Sequence, residues 1–307
     1  MNLKEEIIKG NPRALAKAIS MVENNEDGYL NLLKEIFPNT GKASTIGITG
    51  APGTGKSTLV DCILAYLRKI NKSAAVIAID PTSPFTGGAI LGDRIRMMRH
   101  STDDGVFIRS MATRGHLGGI AKSTGEVISI FDASGKDFII VETVGVGQDE
   151  VEIVKLSDLV IVVLTPGEGD EIQTFKAGIM EIGDIFVLNK ADHPDSTRME
   201  SQLIATLSIG GKGEVPEVVK TVAIKEEGVK ELMEKTLSLL QKIKQSRKAE
   251  EKRKRFLRWM LEDIIKEESF RKLTQNLSEK EFDEYVEKIY KRELDPFSIA
   301  EKILNKG

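Results

Sequence analysis

The sequence predicts an α/β protein in which a mostly parallel sheet is covered by helices and flanked by further helical segments at both ends. Between Ser44 and Lys225, short apolar runs alternate with longer amphipathic or glycine-rich stretches, the signature of βα units. The runs DLVIVVL (158–164) and IFVL (185–188) are almost entirely apolar, as parallel strands buried on both faces are. A phosphate-loop pattern (50–58) directly follows the first predicted strand, residues 45–49.

Composition narrows the class of protein. The 307 residues carry a formal net charge of −3, from 44 Lys+Arg against 47 Asp+Glu, which argues against a bulk nucleic-acid binder. The single cysteine, Cys62, rules out an internal disulfide framework or a zinc ribbon and is typical of a reducing cytoplasm. No run approaches the ~20 apolar residues of a membrane span. We therefore expect a cytoplasmic protein that binds neither nucleic acid nor membrane.

Residues 1–41 are predicted to form an N-terminal helical segment. Leu15, Ala18, Ile19 and Val22 recur at spacings of three and four, which is helical periodicity. The same pattern continues through Leu30, Leu33 and Phe37, and the sequence PNTG (38–41) ends the segment.

Residues 42–228 are predicted to form the sheet domain. Its long glycine-rich stretch from Pro81 to Arg114 carries five arginines and is predicted to be a loop that reorders when a nucleotide changes. The predicted strands lie near 45–49, 74–80, 137–142, 158–165, 184–189 and 218–223.

Residues 229–307 are predicted to be helical. Val229, Leu232, Met233, Leu237 and Leu240 mark one helical face, and a broad apolar stripe follows around Phe256–Ile265. Two arrangements remain open from the pattern alone. These helices pack on the sheet, or they build an arm through which two copies dimerise.

The strongest chemical signal is the pattern G-x-x-x-x-G-K-[ST], which lies between a predicted strand and a predicted helix. The glycines let backbone N–H groups surround a β-phosphate, Lys56 reaches the β- and γ-phosphates, and Ser57 is a ligand for Mg²⁺. The loop consists of Gly50, Ala51, Pro52, Gly53, Thr54, Gly55, Lys56, Ser57 and Thr58.

The tetrapeptide NKAD (189–192) ends the apolar run 185–188 and predicts a guanine site. The Asp192 carboxylate accepts two hydrogen bonds from guanine N1–H and the exocyclic amine, a donor pair that adenine lacks. Asn189 and the Lys190 stem frame the base. The predicted nucleotide is therefore GTP, or GDP after hydrolysis.

Three carboxylates are predicted to lie near the phosphates. Asp80 and Glu142 end two predicted strands, and Asp93 lies in the glycine-rich loop. Ligands of an open α/β sheet bind at the carboxyl ends of its strands, and Mg²⁺ prefers oxygen ligands. Which of the three holds the ion directly stays open.

The stretch ETVGVGQ (142–148) is predicted to sense the γ-phosphate through the Gly145 N–H. Many GTPases place a water-positioning glutamine directly after that glycine, but this chain has Val146 there. An aliphatic side chain cannot orient water by hydrogen bonding, so we predict slow hydrolysis in the absence of a partner.

Taken together, these motifs resemble the MeaB/ArgK-type GTPases, the family that includes the human methylmalonic aciduria type A protein. The resemblance covers nearly the whole chain. The segments that carry it are GNPRALAKAIS (10–20), GAPGTGKST (50–58), DPTSPFTGGAILGDRIRM (80–97), ETVGVGQDE (142–150), TPGEGDEIQTFKAGIMEI (165–182), NKAD (189–192) and ELDPFSIAEKIL (293–304).

The resemblance implies a Mg²⁺-dependent P-loop GTPase domain with a C-terminal dimerisation arm. It further implies a homodimeric chaperone that gates adenosylcobalamin loading and protects or reactivates a B12-dependent acyl-CoA mutase, chiefly methylmalonyl-CoA mutase. In the family, the residues matching Lys56, Asp80, Asp93 and Glu142 serve phosphate binding, Mg²⁺ binding and catalysis. A guanine-side segment matches Thr221, Val222 and Ala223, where the family often has Thr-Ser-Ala.

Two other functions are weighed against this one. A nickel-inserting GTPase of the same fold needs a Cys/His cluster, and the three histidines are scattered along the sequence. A P-loop kinase linked to arginine/ornithine transport, which older family names suggest, needs an acceptor pocket that the sequence does not reveal.

Overall fold

The computed structural model of the chain describes residues 2–80, 98–100, 102–112, 119–143, 155–167, 179–210, 215–275 and 277–304. It divides into two compact units, Met1–Lys252 and Arg253–Gly307. The boundary expected from sequence at 228/229 marks the start of a helix, whereas the compact units divide at 252/253.

The larger unit is built on a seven-stranded sheet of order β3-β2-β4-β1-β5-β6-β7. All of its described strand pairs are parallel. The strands are β1 (Ser44–Thr49), β2 (Ala74–Asp80), β3 (Val106–Ala112), β4 (Phe138–Glu142), β5 (Leu159–Leu164), β6 (Ile185–Leu188) and β7 (Glu217–Lys220). Strands β1, β4, β5 and β6 are buried along their whole length, which confirms the fold predicted from their apolar runs.

Two details of the sheet differ from the prediction. Strand β3 lies inside the stretch 81–114, which was predicted to be a loop, and it pairs with β2 in parallel from Val106 to Ala112. Strand β7 ends at Lys220 rather than near residue 223, because the Val222 N–H donates to the Glu227 carbonyl at 3.1 Å and turns the chain.

Three N-terminal helices precede the sheet: α1 (Leu3–Ile8), α2 (Pro12–Glu23) and α3 (Tyr29–Ile36). They pack on one another and on α5 (Gly119–Ala133). The predicted α2 face is buried, but α3 buries Tyr29, Leu32 and Ile36. The sequence YLNLLKEI has apolar residues on two adjacent faces. The predicted face, which contains Leu30, Leu33 and Phe37, is the less buried of the two, and Phe37 is 48% exposed.

Helices α4 (Lys56–Lys69) and α8 (Val229–Gln245) contribute to a hydrophobic core shared with the sheet. Leu59, Ile63 and Leu64 of α4 lie in the same core as Leu232 and Met233 of α8. Of the two arrangements left open for the C-terminal helices, α8 therefore adopts the one that packs on the sheet domain. Two shorter elements complete this part of the chain, α6 (Ile179–Ile182) and α7 (Ser196–Gly210).

The smaller unit is helical. It contains most of α9 (Arg247–Thr274), followed by α10 (Glu279–Tyr290) and α11 (Pro296–Leu304). A capping box fixes the start of α10, because Ser278 and Glu281 each bond the backbone N–H of the other. The predicted stripe is half-buried at Phe256 and Met260, while Leu261 and Ile265 are more than half exposed.

Candidate functional site

The loop 50–58 joins β1 to α4 and is shaped by glycines. Gly50 has φ +143°, and a Cβ there would overlap the Val163 carbonyl oxygen of β5. Gly55 has φ +88°, and a Cβ there would lie 2.5 Å from the Asn189 side-chain nitrogen. Both positions therefore need glycine for conformation and for space.

Lys56 begins α4 beneath this loop and is 6% exposed. Its Nζ donates to the carbonyl oxygens of Gly50 at 2.7 Å and Ala51 at 2.8 Å. The ammonium group thus lies at the mouth of a helix N-terminus, where backbone N–H groups and the helix dipole favour an anion.

Ser57 and Glu142 meet at the carboxyl edge of the sheet. The Ser57 hydroxyl donates to Glu142 Oε1 at 2.7 Å, and both residues are buried. The meeting follows from the topology, since β4 pairs with β1 and both run towards the loop. Next to it, the Thr143 hydroxyl donates to the Thr49 hydroxyl at 3.0 Å. Two of the predicted metal ligands are therefore in direct contact.

The remaining predicted phosphate-side residues are only partly described. Asp80 ends β2 at the same edge of the sheet, two residues beyond the Ala78–Glu142 pair, but its side chain lies outside the described residues. Asp93, Gly145 and Val146 also lie outside them.

Asn189 holds three segments together. Its Nδ2 donates to the Thr54 carbonyl at 2.8 Å, and its Oδ1 accepts from the Thr221 hydroxyl at 3.0 Å and the Ala223 N–H at 3.1 Å. The side chain is buried at 3% exposure. The phosphate loop, the NKAD segment and the segment 221–223 are thereby brought together.

Lys190 and Asp192 lie on the exposed turn that follows Asn189. Lys190 has φ +55°, and the Ala191 N–H donates to the Thr221 carbonyl at 3.0 Å. Asp192 is paired with Lys225, whose Nζ lies 3.0 Å from Asp192 Oδ2. The Lys225 hydrogen bond holds the pKa of Asp192 below its ordinary value. This ion pair was absent from the prediction, and no sequence spacing signals it.

Cys62 of α4 contacts the segment 221–223. The Cys62 thiol donates to the Ala223 carbonyl at 3.2 Å, and burial raises the pKa of this thiol. Cys62 itself is a buried, free cysteine.

Arg99 ties the same region to the short turn Met98–His100. Its guanidinium contacts Asp61 of α4 at 2.7 Å and Glu226 at 2.7 Å. His100 is buried and lies 3.1 Å from the Asp61 carbonyl. Arg99 is one of the five arginines in the stretch predicted to be a loop. Sequence patterns do not reveal its contacts, because its partners lie 38 and 127 residues away.

Histidine, cysteine and carboxylate side chains form no group of three or more suited to a metal ion within the described ranges. No described helix is long and apolar enough to cross a membrane.

The sheet is parallel, a glycine-rich loop joins β1 to α4, and a polar segment of the guanine-binding type follows β6. These features define a P-loop nucleotide-binding protein of the GTPase class. Residues 15–278 match the model of the family described as methylmalonyl Co-A mutase-associated GTPase MeaB. The chain belongs to this family and is a GTPase.

Similar proteins agree with that assignment. A putative GTPase of Pyrococcus abyssi is 48% identical over 307 residues, covering 98% of this chain and 95% of the relative. The mouse mitochondrial methylmalonic aciduria type A homolog is 34% identical over 246 residues, covering 74% of this chain and 59% of the relative. A crystal structure described as LAO/AO transport system kinase superposes with a TM-score of 0.72 at 25% identity, covering 99% of this chain and 95% of that one.

Proposed function

We propose that this protein is a GTP-driven chaperone of an adenosylcobalamin-dependent methylmalonyl-CoA mutase or a related acyl-CoA mutase. In this role it gates cofactor loading and protects or reactivates the mutase in the cytoplasm. The observation that carries the proposal is the family match over residues 15–278, because the description of that family names the mutase. The name of the mouse relative supports the same association.

GTP and GDP bind, in this proposal, across the loop 50–58 and the guanine segments. Asn189, Lys190 and Asp192 meet one edge of the base, and Thr221, Val222 and Ala223 close the other side. The support is the three-way contact of Asn189, which links the loop to both guanine segments. Preorganised contacts of this kind reduce the ordering needed on binding.

In this proposal Lys56 pairs with the β- and γ-phosphates. Its Nζ lies beside the Gly50 and Ala51 carbonyls, which hold the ammonium group at the start of α4. The positive charge of that group attracts the phosphate oxygens.

The oxygens of Ser57 and Glu142 fit a hard divalent cation, since they are buried, 2.7 Å apart and at the phosphate side of the loop. These two residues, with Asp80 and Asp93, are the proposed ligands of Mg²⁺. Mg²⁺ bound there would neutralise charge on the phosphate oxygens. Ser57 and Glu142 themselves orient each other, so neither side chain has to be recruited from solvent.

Hydrolysis is proposed to be slow without the mutase. The Gly145 N–H contacts the γ-phosphate, while Val146 has no group that can orient the attacking water. Lys56 supplies charge stabilisation directly, whereas Asp80, Asp93 and Glu142 would contribute by holding Mg²⁺, and none of them is a dedicated water-positioning amide. The mutase is then expected to accelerate turnover by completing the site.

A homodimer is proposed through the C-terminal helices. The smaller unit exposes large apolar side chains, among them Phe270 at 63%, Tyr290 at 82% and Phe297 at 80%. Exposed apolar surface of this extent is typical of an interaction site.

The experiment is GTP and ATP turnover by the purified protein, alone and with the adenosylcobalamin-dependent mutase of its own host. We expect slow, GTP-specific release of inorganic phosphate that the mutase accelerates, and Lys56→Ala as the inactive control. No response to the mutase would contradict the chaperone role.

A kinase role has one observation in its favour, the LAO/AO transport system kinase structure described above. The same assay separates the two functions if the γ-phosphate is radiolabelled. A GTPase releases the label as inorganic phosphate, whereas a kinase transfers it to arginine, ornithine or a protein. Transfer together with ATP preference would replace the chaperone proposal.

A further inference from the structure

The Asp192–Lys225 ion pair joins two turns that backbone hydrogen bonds hold in place. Ala191 donates to the Thr221 carbonyl at 3.0 Å, and Ala223 donates to Asn189 Oδ1 at 3.1 Å. Lys225 ends the short helical turn Ala223–Lys225, where its own N–H donates to the Val222 carbonyl at 2.8 Å. The two charged side chains therefore face each other because of the fold, and not through a chance rotamer of a free loop.

The pair occupies the carboxylate that a guanine base requires. Guanine presents two adjacent donors, N1–H and the exocyclic amine, and two hydrogen bonds to one carboxylate use both of its oxygens. Lys225 Nζ lies 3.0 Å from Asp192 Oδ2. Each carboxylate oxygen has two lone pairs, so a guanine base would share this oxygen with a cation that neutralises part of its charge.

We propose that Lys225 is a built-in competitor of guanine: it pairs with Asp192, and the nucleotide displaces it on binding. The proposal rests on the guanine site of the proposed function and adds to it a residue that sets nucleotide affinity. Lys225 thereby weakens guanine-nucleotide binding and speeds GDP release.

The exposure of the two residues sets the size of the effect. The Asp192 and Lys225 side chains are 45% and 51% exposed, so the pair is hydrated and screened by salt. Exposed ion pairs change equilibria by no more than about two- to fivefold. Glu227 lies close enough to act on the Lys225 charge, and it provides an alternative position for the ammonium group once the base has arrived.

The test is GDP binding to the full chain, measured by calorimetry at low and at high salt. Lys225→Met keeps the aliphatic stem and removes the charge, and we expect it to bind GDP about two- to fivefold more tightly at low salt. The gain should shrink at high salt, because screening weakens the competing pair.

Lys220→Met is the matched control. Lys220 pairs with Glu200 at 2.9 Å, with side chains 47% and 25% exposed, and it makes no part of the proposed site. We expect its GDP affinity to equal that of the unsubstituted protein.

A second background isolates the charge on Asp192. Asp192→Asn replaces the acceptor by an amide and should shift preference from GDP to xanthosine diphosphate. In that background Lys225 has no carboxylate to occupy, so adding Lys225→Met should leave xanthosine diphosphate affinity unchanged.

The outcomes separate the two proposals. GDP binding by the unsubstituted protein tests the guanine site, and its absence would contradict the proposed function. With GDP binding present, equal or weaker binding by Lys225→Met would overturn the competitor role and leave the guanine site standing. An equal gain in the Asp192→Asn background would also overturn it.

Discussion

Asn189→Ala should destabilise the larger unit by about 3 kcal/mol. The substitution removes the hydrogen bonds to the Thr54 carbonyl, the Thr221 hydroxyl and the Ala223 N–H. Each such bond contributes about 1 kcal/mol net. Thr54, Thr221 and Ala223 are all less than 5% exposed, so water cannot replace the lost partner without opening the site.

Hydrogen exchange of the β1 and β6 amides is the suitable assay. Trp259 is the single tryptophan and lies in the smaller unit, so its fluorescence does not report on the sheet. A loss of 3 kcal/mol corresponds to about 140-fold faster exchange of amides that open with the whole unit. Asn31→Ala, an exposed position of α3, is the control and should change stability by less than about 0.5 kcal/mol.

A loss below about 1 kcal/mol in Asn189→Ala would refute the reasoning. It would mean that the Thr54 carbonyl, the Thr221 hydroxyl and the Ala223 N–H find other partners without disturbing the sheet. The contact between the phosphate loop and the guanine segments would then contribute little to the stability of the fold.

Two further substitutions test the loop and the opposite edge of the sheet. Gly55→Ala should lower GTP turnover more than Gly53→Ala in a steady-state phosphate assay. Both positions have positive φ, but only at Gly55 would the new Cβ meet the Asn189 side chain, at 2.5 Å. Equal losses of turnover would mean that backbone strain alone is the cause. Asp103→Asn should flatten the acid limb of stability against pH in urea titrations. The hydrogen bond from Arg68 lowers the pKa of Asp103 in the folded state, so its stabilisation is present at neutral pH and is lost as pH falls below the ordinary value of 3.8; an unchanged acid limb would contradict this.

Much of the sheet is readable from sequence because its central strands are buried on both faces. Strands such as β5 and β6 then consist of short, continuous apolar runs, which are typical of fully buried strands. Strand β3 is not a continuous apolar run. Its sequence VFIRSMA includes Arg109, which is acceptable only because Glu23 of α2 pairs with it, and that pairing depends on the tertiary fold.

The candidate site also contains residues that the sequence predicts and contacts that it does not. Lys56, Ser57 and Asn189 belong to short motifs whose spacing encodes the geometry, and the structure places them around one loop. The Lys225 partner of Asp192 and the Arg99 partner of Glu226 lie 33 and 127 residues away. Side-chain pairs across such separations follow from strand order, which local sequence patterns do not report.

That strand order also determines when β1 can pair with its neighbours during biosynthesis. The strand that carries the phosphate loop, β1, is hydrogen-bonded to β4 and β5, both of which leave the ribosome much later than it does. At about 5–20 residues per second, the roughly 115 residues between the ends of β1 and β5 take about 6 to 23 s to translate. Until β4 has been made, roughly 93 residues after β1, the nascent β1 has neither neighbour. The helices α1 to α3 and α4 already have the local contacts to form. The nucleotide loop is thus among the earlier segments to be made, and its supporting strand among the last to find its place.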